Sequence, residues 1–238
     1  VNYLIDRAIF TRWPTFVRKV IIGNGVSNPA SNPDLESEFR SLLTNVAGDA
    51  DLDVNHPRIA AWQRIYDSFP TNVRVRPSIH TLVRRAKNLQ GKPIPFISTL
   101  VCISNLVSLK HLVPSGLVDA SKVVGDVALG FAQGGERFGA IGSDEIETAM
   151  PGEVIYYATG SHDVLCRAWN SRGGRVAATD QSTRRVIVDV DGILDVVSRD
   201  ELQQAATWLA SLVSRYCGGS VRIFELSSST PEIDIGGN

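Results

Sequence analysis

The hydrophobic pattern changes character about halfway along the chain. Residues 1 to 9 and 16 to 26 (FVRKVIIGNGV) are rich in β-branched residues, and the second block ends at Gly23-Asn24-Gly25, so this region predicts two strands and a turn. Three helices are then expected. The first opens at Asn32-Pro33 and runs through LESEFRSLL, and the second follows Asn55 and Pro57, with Ile59, Trp62, Ile65, Tyr66 and Phe69 at helical spacing. The third starts at Pro77-Ser78, places Ile79, Leu82, Val83, Ala86 and Leu89 on one face, and ends at Gly91-Lys92-Pro93.

From Ile97 to Leu112 the chain is apolar over most of a helix circumference, which predicts a buried central helix. Beyond Ala120 the period shortens. The runs DVALGFAQ, RFGAIG, GEVIYYA, DVLCRAWNS and RRVIVDV predict five strands spaced as in an antiparallel sheet. One more helix begins at a Ser198/Glu201 capping box and closes at Gly218-Gly219; the strand SVRIFEL follows, and residues 227 to 238 are expected to fray. The fold class expected is therefore α+β, one domain over residues 1 to 226, with helices in the first half and a mainly antiparallel sheet in the second.

Composition narrows the function classes. At 238 residues and 43% apolar content the chain can fill a continuous core. No run approaches the ~18 apolar residues of a membrane span, and Cys102, Cys166 and Cys217 form neither a disulfide framework nor a zinc motif, so a reducing cytoplasm is the expected setting. The formal net charge of -1 hides an asymmetry: residues 1 to 95 carry 13 Lys/Arg against 8 Asp/Glu, and the remainder carries 11 against 17. Between Asp67 and Asp119 there is no carboxylate, while Arg74, Arg76, Arg84, Arg85, Lys87, Lys92 and Lys110 are all cationic. That run either tracks a phosphate backbone or is a solvated helix face.

The glycines at 130, 134, 135, 139 and 142 make neither GxGxxG nor a P-loop and predict a hairpin. Ser161-His162-Asp163 reads as a turn, because consecutive side chains cannot line up as nucleophile, base and orienter. His56, His80 and His111 lack metal spacing, so no metal site is expected. Asn105 presents an amide on the central helix, serving either a structural hydrogen bond or a pocket wall. Alternation in VIVDV sets Asp189 opposite Val186, Val188 and Val190, where it meets solvent or closes a cleft.

From about residue 70 to 217 the order of these features resembles the B3/B4 domain, the editing module of the phenylalanyl-tRNA synthetase β chain that also occurs free-standing. The segments PSIHTLVRR and GKPIPFIS resemble its entry helix and following Pro, and ISNLVSLKHLVPSGLVDASKVVGDVALGFAQGGERF resembles its central Asn helix, Pro-x-x-x-x-Asp turn and Gly-Glu strand. VLCRAWNSRGGRVAATDQSTRRVIVDV resembles its pocket segment, with Gly173-Gly174, Thr183 and Asp189 at the family's spacing, and the Leu165–Asn170 run looks more like the free-standing members. Gly116 stands where the synthetase-embedded domains carry a His, and Ser98 and Cys102 replace an Asn and an Asp.

The resemblance implies hydrolysis of the ester in a mischarged aminoacyl-tRNA, in trans and without a cofactor. It implies catalytic roles for Asp189, Gly173 and Gly174 and substrate contacts from Asn105, Gly116, Trp169, Asn170 and Thr183; within the basic run, Arg84, Arg85 and Lys87 are the expected nucleic-acid contacts. A non-catalytic module that binds an amino acid or tRNA is the alternative. If the basic run tracks RNA, affinity for tRNA falls steeply from low to high salt in an equilibrium titration. A flat affinity refutes that role.

Overall fold

The protein is represented by a computed structural model that describes residues 1–71, 75–88 and 94–236. The expected contributions of Arg74, Leu89 and Gly91-Lys92-Pro93 lie outside these residues. A six-stranded sheet has the order β12-β1-β4-β7-β8-β9, formed by Glu232–Asp234, Asn2–Ile5, Val127–Phe131, Val154–Ala158, Val164–Arg167 and Arg172–Gly173. A four-stranded sheet has the order β11-β2-β10-β3, formed by Ser220–Leu226, Phe16–Asn24, Arg185–Ile193 and Ser115–Asp119. A small ribbon pairs β5 (Arg137–Gly139) with β6 (Ile146–Thr148).

The helices are α1 (Arg7–Arg12), α2 (Pro33–Gly48), α3 (Pro57–Asp67), α4 (Ser78–Lys87), α5 (Thr99–His111) and α6 (Arg199–Cys217). Five of them were expected, and their ends obey local chemistry. The side chains of Asn32, His56 and Ser98 accept first-turn N–H groups of α2, α3 and α5, and Ser198 and Glu201 close a reciprocal box on α6. α5 buries Leu100, Ile103, Leu106, Val107 and Leu109 around its circumference, as a central helix must.

The four-stranded sheet buries both faces. One face packs on α6 so closely that a Cβ on Gly192 would meet Leu202 at 2.7 Å. The other turns towards the six-stranded sheet, and on it Arg18 pairs across the ladder with Asp191, and Gly116 with Asp189. Strand partners on one face sit side by side. Two carboxylates and a guanidinium are thereby driven into the space between the sheets.

Four expectations are corrected. Residues 6 to 9 do not continue the first strand: Asp6 accepts the Ala8 N–H and starts α1, which buries Ile9 and Phe10. The five expected strands do not form one antiparallel sheet. RRVIVDV joins the other sheet as β10, RFG sits in the ribbon, and β4 runs parallel to β1. Strand β3 was not foreseen, because SGLVD is short and does not alternate; it starts after Leu112 leaves α5 in the left-handed region, φ 53°. The segment after Leu226, expected to fray, places Glu232–Asp234 antiparallel to β1, with Ile235 fully buried.

A buried charge cluster ties the ribbon to the larger sheet. Arg167 donates to both Glu153 oxygens (2.8 and 2.8 Å) and to Glu147 (2.6 Å), and Glu147 also receives Arg172 (2.6 and 2.9 Å). Glu153 is 0% exposed and also accepts the Ala168 N–H. Removing that carboxylate takes away the two-bond partner of the Arg167 guanidinium in a dry site and leaves it only Glu147. Glu153→Ala is therefore expected to cost about 3–5 kcal/mol, read as a lower urea midpoint; a loss below about 1 kcal/mol would refute the internal role.

Candidate active site

Between the two sheets lies a cavity of about 320 Å3. Its apolar wall comes from Ile97, Val101, Leu117, Val118, Ile141 and Leu165, and its polar end from Arg18, Asp189 and Asp191. Gly116, Trp169, Asn170, Gly173 and Gly174 complete it. Six of the eight residues expected to be catalytic or to contact substrate thus converge on one hollow, although they are spread from 116 to 189. Asn105 and Thr183 do not.

The polar end is built around Arg18, which is 2% exposed. Its guanidinium grips Asp191 with two bonds of 2.6 and 2.8 Å and donates to the Tyr3 hydroxyl; Tyr3 in turn donates to Asp189 Oδ2 at 2.9 Å. Arg18 approaches the same oxygen at 3.5 Å. Asp189 Oδ1 has no hydrogen-bond partner among the described residues. Burial pushes the Asp189 carboxyl up to about 7; Arg18 pulls it down, Asp191 pushes it further up, and the Tyr3 hydrogen bond lowers it. Burial likewise raises Tyr3 and Tyr156 well above the ordinary phenol range, so both stay neutral.

A left-handed turn shapes the neighbouring wall. Ala168 and Trp169 follow one another at φ 46° and 62°, a conformation that costs non-glycine residues on the order of 1–3 kcal/mol each. Three contacts hold it: Glu153 accepts Ala168 N–H (3.0 Å), Val154 O accepts Trp169 N–H (2.8 Å), and the Tyr66 hydroxyl donates to Ala168 O (2.5 Å). The turn drives the Trp169 ring among Trp13, Phe16 and Trp62, with centroids 5.0, 4.7 and 5.4 Å away. Asn170 emerges beside it, accepting from Tyr66 (2.9 Å) and donating to Asp191 at 3.4 Å.

The two adjacent glycines have different reasons to be glycine. A Cβ on Gly174 would meet Val164 O at 2.6 Å and Leu165 O at 3.0 Å, so the chain's own backbone excludes it. At Gly173 the nearest neighbour would be the Ile141 methyl, at 3.2 Å. Gly116 has open space where its side chain would be. It sits opposite Asp189 in the β3–β10 ladder, so any side chain there would project beside the carboxylate.

Thr183 is fully buried away from the cavity. Its hydroxyl donates to Asp119 and accepts the Asp180 N–H, fastening the loop that precedes β10 to the end of β3. Asn105 lines a separate hollow next to Ser115. Of the expected RNA-binding cations, Lys87 donates to Ala47 O and Asp49 O at the end of α2, Arg85 borders the Asn105 hollow, and Arg84 is exposed. The sequence reading missed Arg18, Tyr3, Tyr156 and Asp191. A cation inside the β-branched run FVRKVIIG was the available signal for the first.

Neither Cys166 nor a histidine offers a nucleophile or base in the cavity. Burial raises the Cys166 thiol to about 12, and among the described residues no histidine lines the walls. His162 has φ 58° in the turn between β7 and β8, as the turn reading of 161–163 required.

The B3/4 domain family model matches residues 61–218, and the chain belongs to that family. No curated protein matches. Among solved structures it is similar to an N-terminal fragment of the phenylalanyl-tRNA synthetase β-subunit from Pyrococcus horikoshii, at 13% identity and a TM-score of 0.45. The likeness covers 92% of this chain and 49% of that one, so the chain spans about half the length of that fragment. No helix among the described residues is long and apolar enough to cross a membrane.

The raised Asp189 group has a stability consequence. The folded protein keeps its proton up to about pH 7, whereas the unfolded chain releases it near its ordinary value of 3.8, so the unfolded state gains as pH rises between the two. Relative to Asp189→Asn, the wild-type protein is expected to lose on the order of 2–4 kcal/mol between about pH 4 and pH 7, with no further change above. Urea titrations of both proteins at pH 4.5, 6 and 8 check this. A constant difference would show that the carboxyl titrates normally.

Proposed function

We propose that the chain removes amino acids from mischarged tRNA in trans, by hydrolysing the aminoacyl ester in the cavity between the sheets. Asp189 carries the reading: a carboxylate buried in a mostly apolar hollow, with Oδ1 unpartnered. Two carboxylates face one guanidinium there, so a ligand bearing a single positive charge completes the balance. The α-ammonium of an aminoacyl ester is such a group, and its arrival ionises Asp189 fully by opposite charge.

Once the ammonium is held, the remaining task is modest. An aminoacyl ester is already activated, so a water oriented against its carbonyl suffices without a covalent intermediate. Ser115, Tyr156, Thr179 and Asn170 are neutral polar side chains on the wall that can hold such a water. The bare backbone at Gly173 leaves room for the carbonyl and the attached ribose. The apolar wall then receives the amino-acid side chain, and its missing Cβ at Gly116 widens the space nearest the anchor.

A panel of mischarged tRNAs, with release of free amino acid as the readout, tests the reading. The wild-type protein is expected to release at least one apolar amino acid, and Asp189→Asn to slow that release at least tenfold while remaining folded. Binding of an amino acid without release from any tRNA would identify a sensor module in place of a hydrolase.

A further inference from the structure

The second hollow, of about 200 Å3, adjoins the cavity at Ser115, which lines both. α4 and α5 form its sides and Ser171 its rim. Its chemistry differs from that of the cavity. Ser78, Thr81, Ser108, Ser115 and Ser171 contribute five hydroxyls, and Asn105 an amide. Among the described residues Arg85 supplies the one formal charge, and none of those lining the space is a carboxylate.

Part of this polar surface is already committed. Ser115 accepts from Ser104 (2.9 Å), Ser171 donates to Arg76 O (2.8 Å), and Ser78 donates to Asn170 Oδ1 (3.3 Å). The Asn105 amide and the Thr81 and Ser108 hydroxyls hold no side-chain hydrogen bond among the described residues. A concave set of uncommitted donors beside a guanidinium suits an anion bearing several acceptor oxygens. α4 also opens here without a cap from its own N-cap residue, Pro77, and its first N–H, that of Ser78, is accepted by Asn170 Oδ1 at 3.4 Å.

From this arrangement we infer that the Asn105 hollow binds the ribose 5′-phosphate of the nucleotide whose aminoacyl group enters the cavity. The inference rests on the reading of the cavity as the aminoacyl site. It adds a phosphate-binding subsite to it, with Ser115 and Asn170 at the joint: an ester anchored at Asp189 has its ribose at the cavity mouth, and the phosphate continues past Ser115. The subsite also gives the carboxylate-free stretch between Asp67 and Asp119 a local purpose, since an acidic residue there would repel the phosphate.

The test uses the full chain and needs no turnover. Adenosine, adenosine 5′-monophosphate and inorganic phosphate are titrated calorimetrically against the wild-type protein, Arg85→Gln and Asn105→Asp. The monophosphate is expected to bind at least tenfold more tightly than adenosine and than inorganic phosphate. Each substitution should erase most of that advantage and leave adenosine unchanged. Equal affinity for the nucleoside and its monophosphate, inorganic phosphate binding as tightly as the monophosphate, or an advantage that survives both substitutions would overturn the subsite. Phosphate-dependent binding in a protein that deacylates no tRNA would sustain the subsite and remove the hydrolase reading.

Discussion

One guanidinium shared by two carboxylates governs the middle of this molecule. Arg18 is buried between the sheets, locked to Asp191 by paired hydrogen bonds and linked to Asp189 through the Tyr3 hydroxyl. Burying three ionisable groups is costly unless each is met by a partner, and here the partners satisfy all but one oxygen. That remainder gives the hollow its chemical character. A neutral replacement for either carboxylate would leave an evenly matched ion pair and nothing to attract a cation.

The fold supplies the rigidity this arrangement needs. Arg18, Asp189 and Asp191 lie on adjacent strands of a sheet clamped on its far side by α6, where Gly192 and Leu202 pack too closely to admit a methyl group. Tyr3 and Tyr156 come from the facing sheet and stack with centroids 5.5 Å apart. The wall carrying Trp169 and Asn170 is held in a strained turn by the adjacent Glu153 and Val154 and by Tyr66, from two separate parts of the chain. Strained residues persist where their surroundings over-determine them, and this turn borders the cavity.

The two hollows divide the chemistry. The larger is apolar with a carboxylate end, suited to an amino-acid side chain and its ammonium; the smaller is lined by hydroxyls and one cation, suited to a sugar phosphate. Ser115 belongs to both, at the start of the strand that also carries Gly116. Its neighbour across the ladder is Val190, between the two aspartates, so the joint between the hollows is fixed to the same backbone as the charged anchor.

Local signals in the chain determined most of the elements. Caps at Asn32 and Ser198, the apolar circumference of α5 and the alternation in VIVDV are written in neighbouring residues, so period and capping chemistry reveal them. The ordered motifs from 70 to 217 also pointed to part of the cavity wall, including Gly173, Asn170 and Asp189. What the chain by itself could not decide is which polar residues meet. Thr183 and Asn105 have site-like spacing, yet Thr183 bonds Asp119 and Asn105 lines a separate hollow, while Arg18 and Tyr3 reach Asp189 from more than 170 residues away. Periodicity assigns a side chain to a face; only the packing of one sheet against another determines what that face meets, and the unmatched carboxylate oxygen exists only once both sheets are in place.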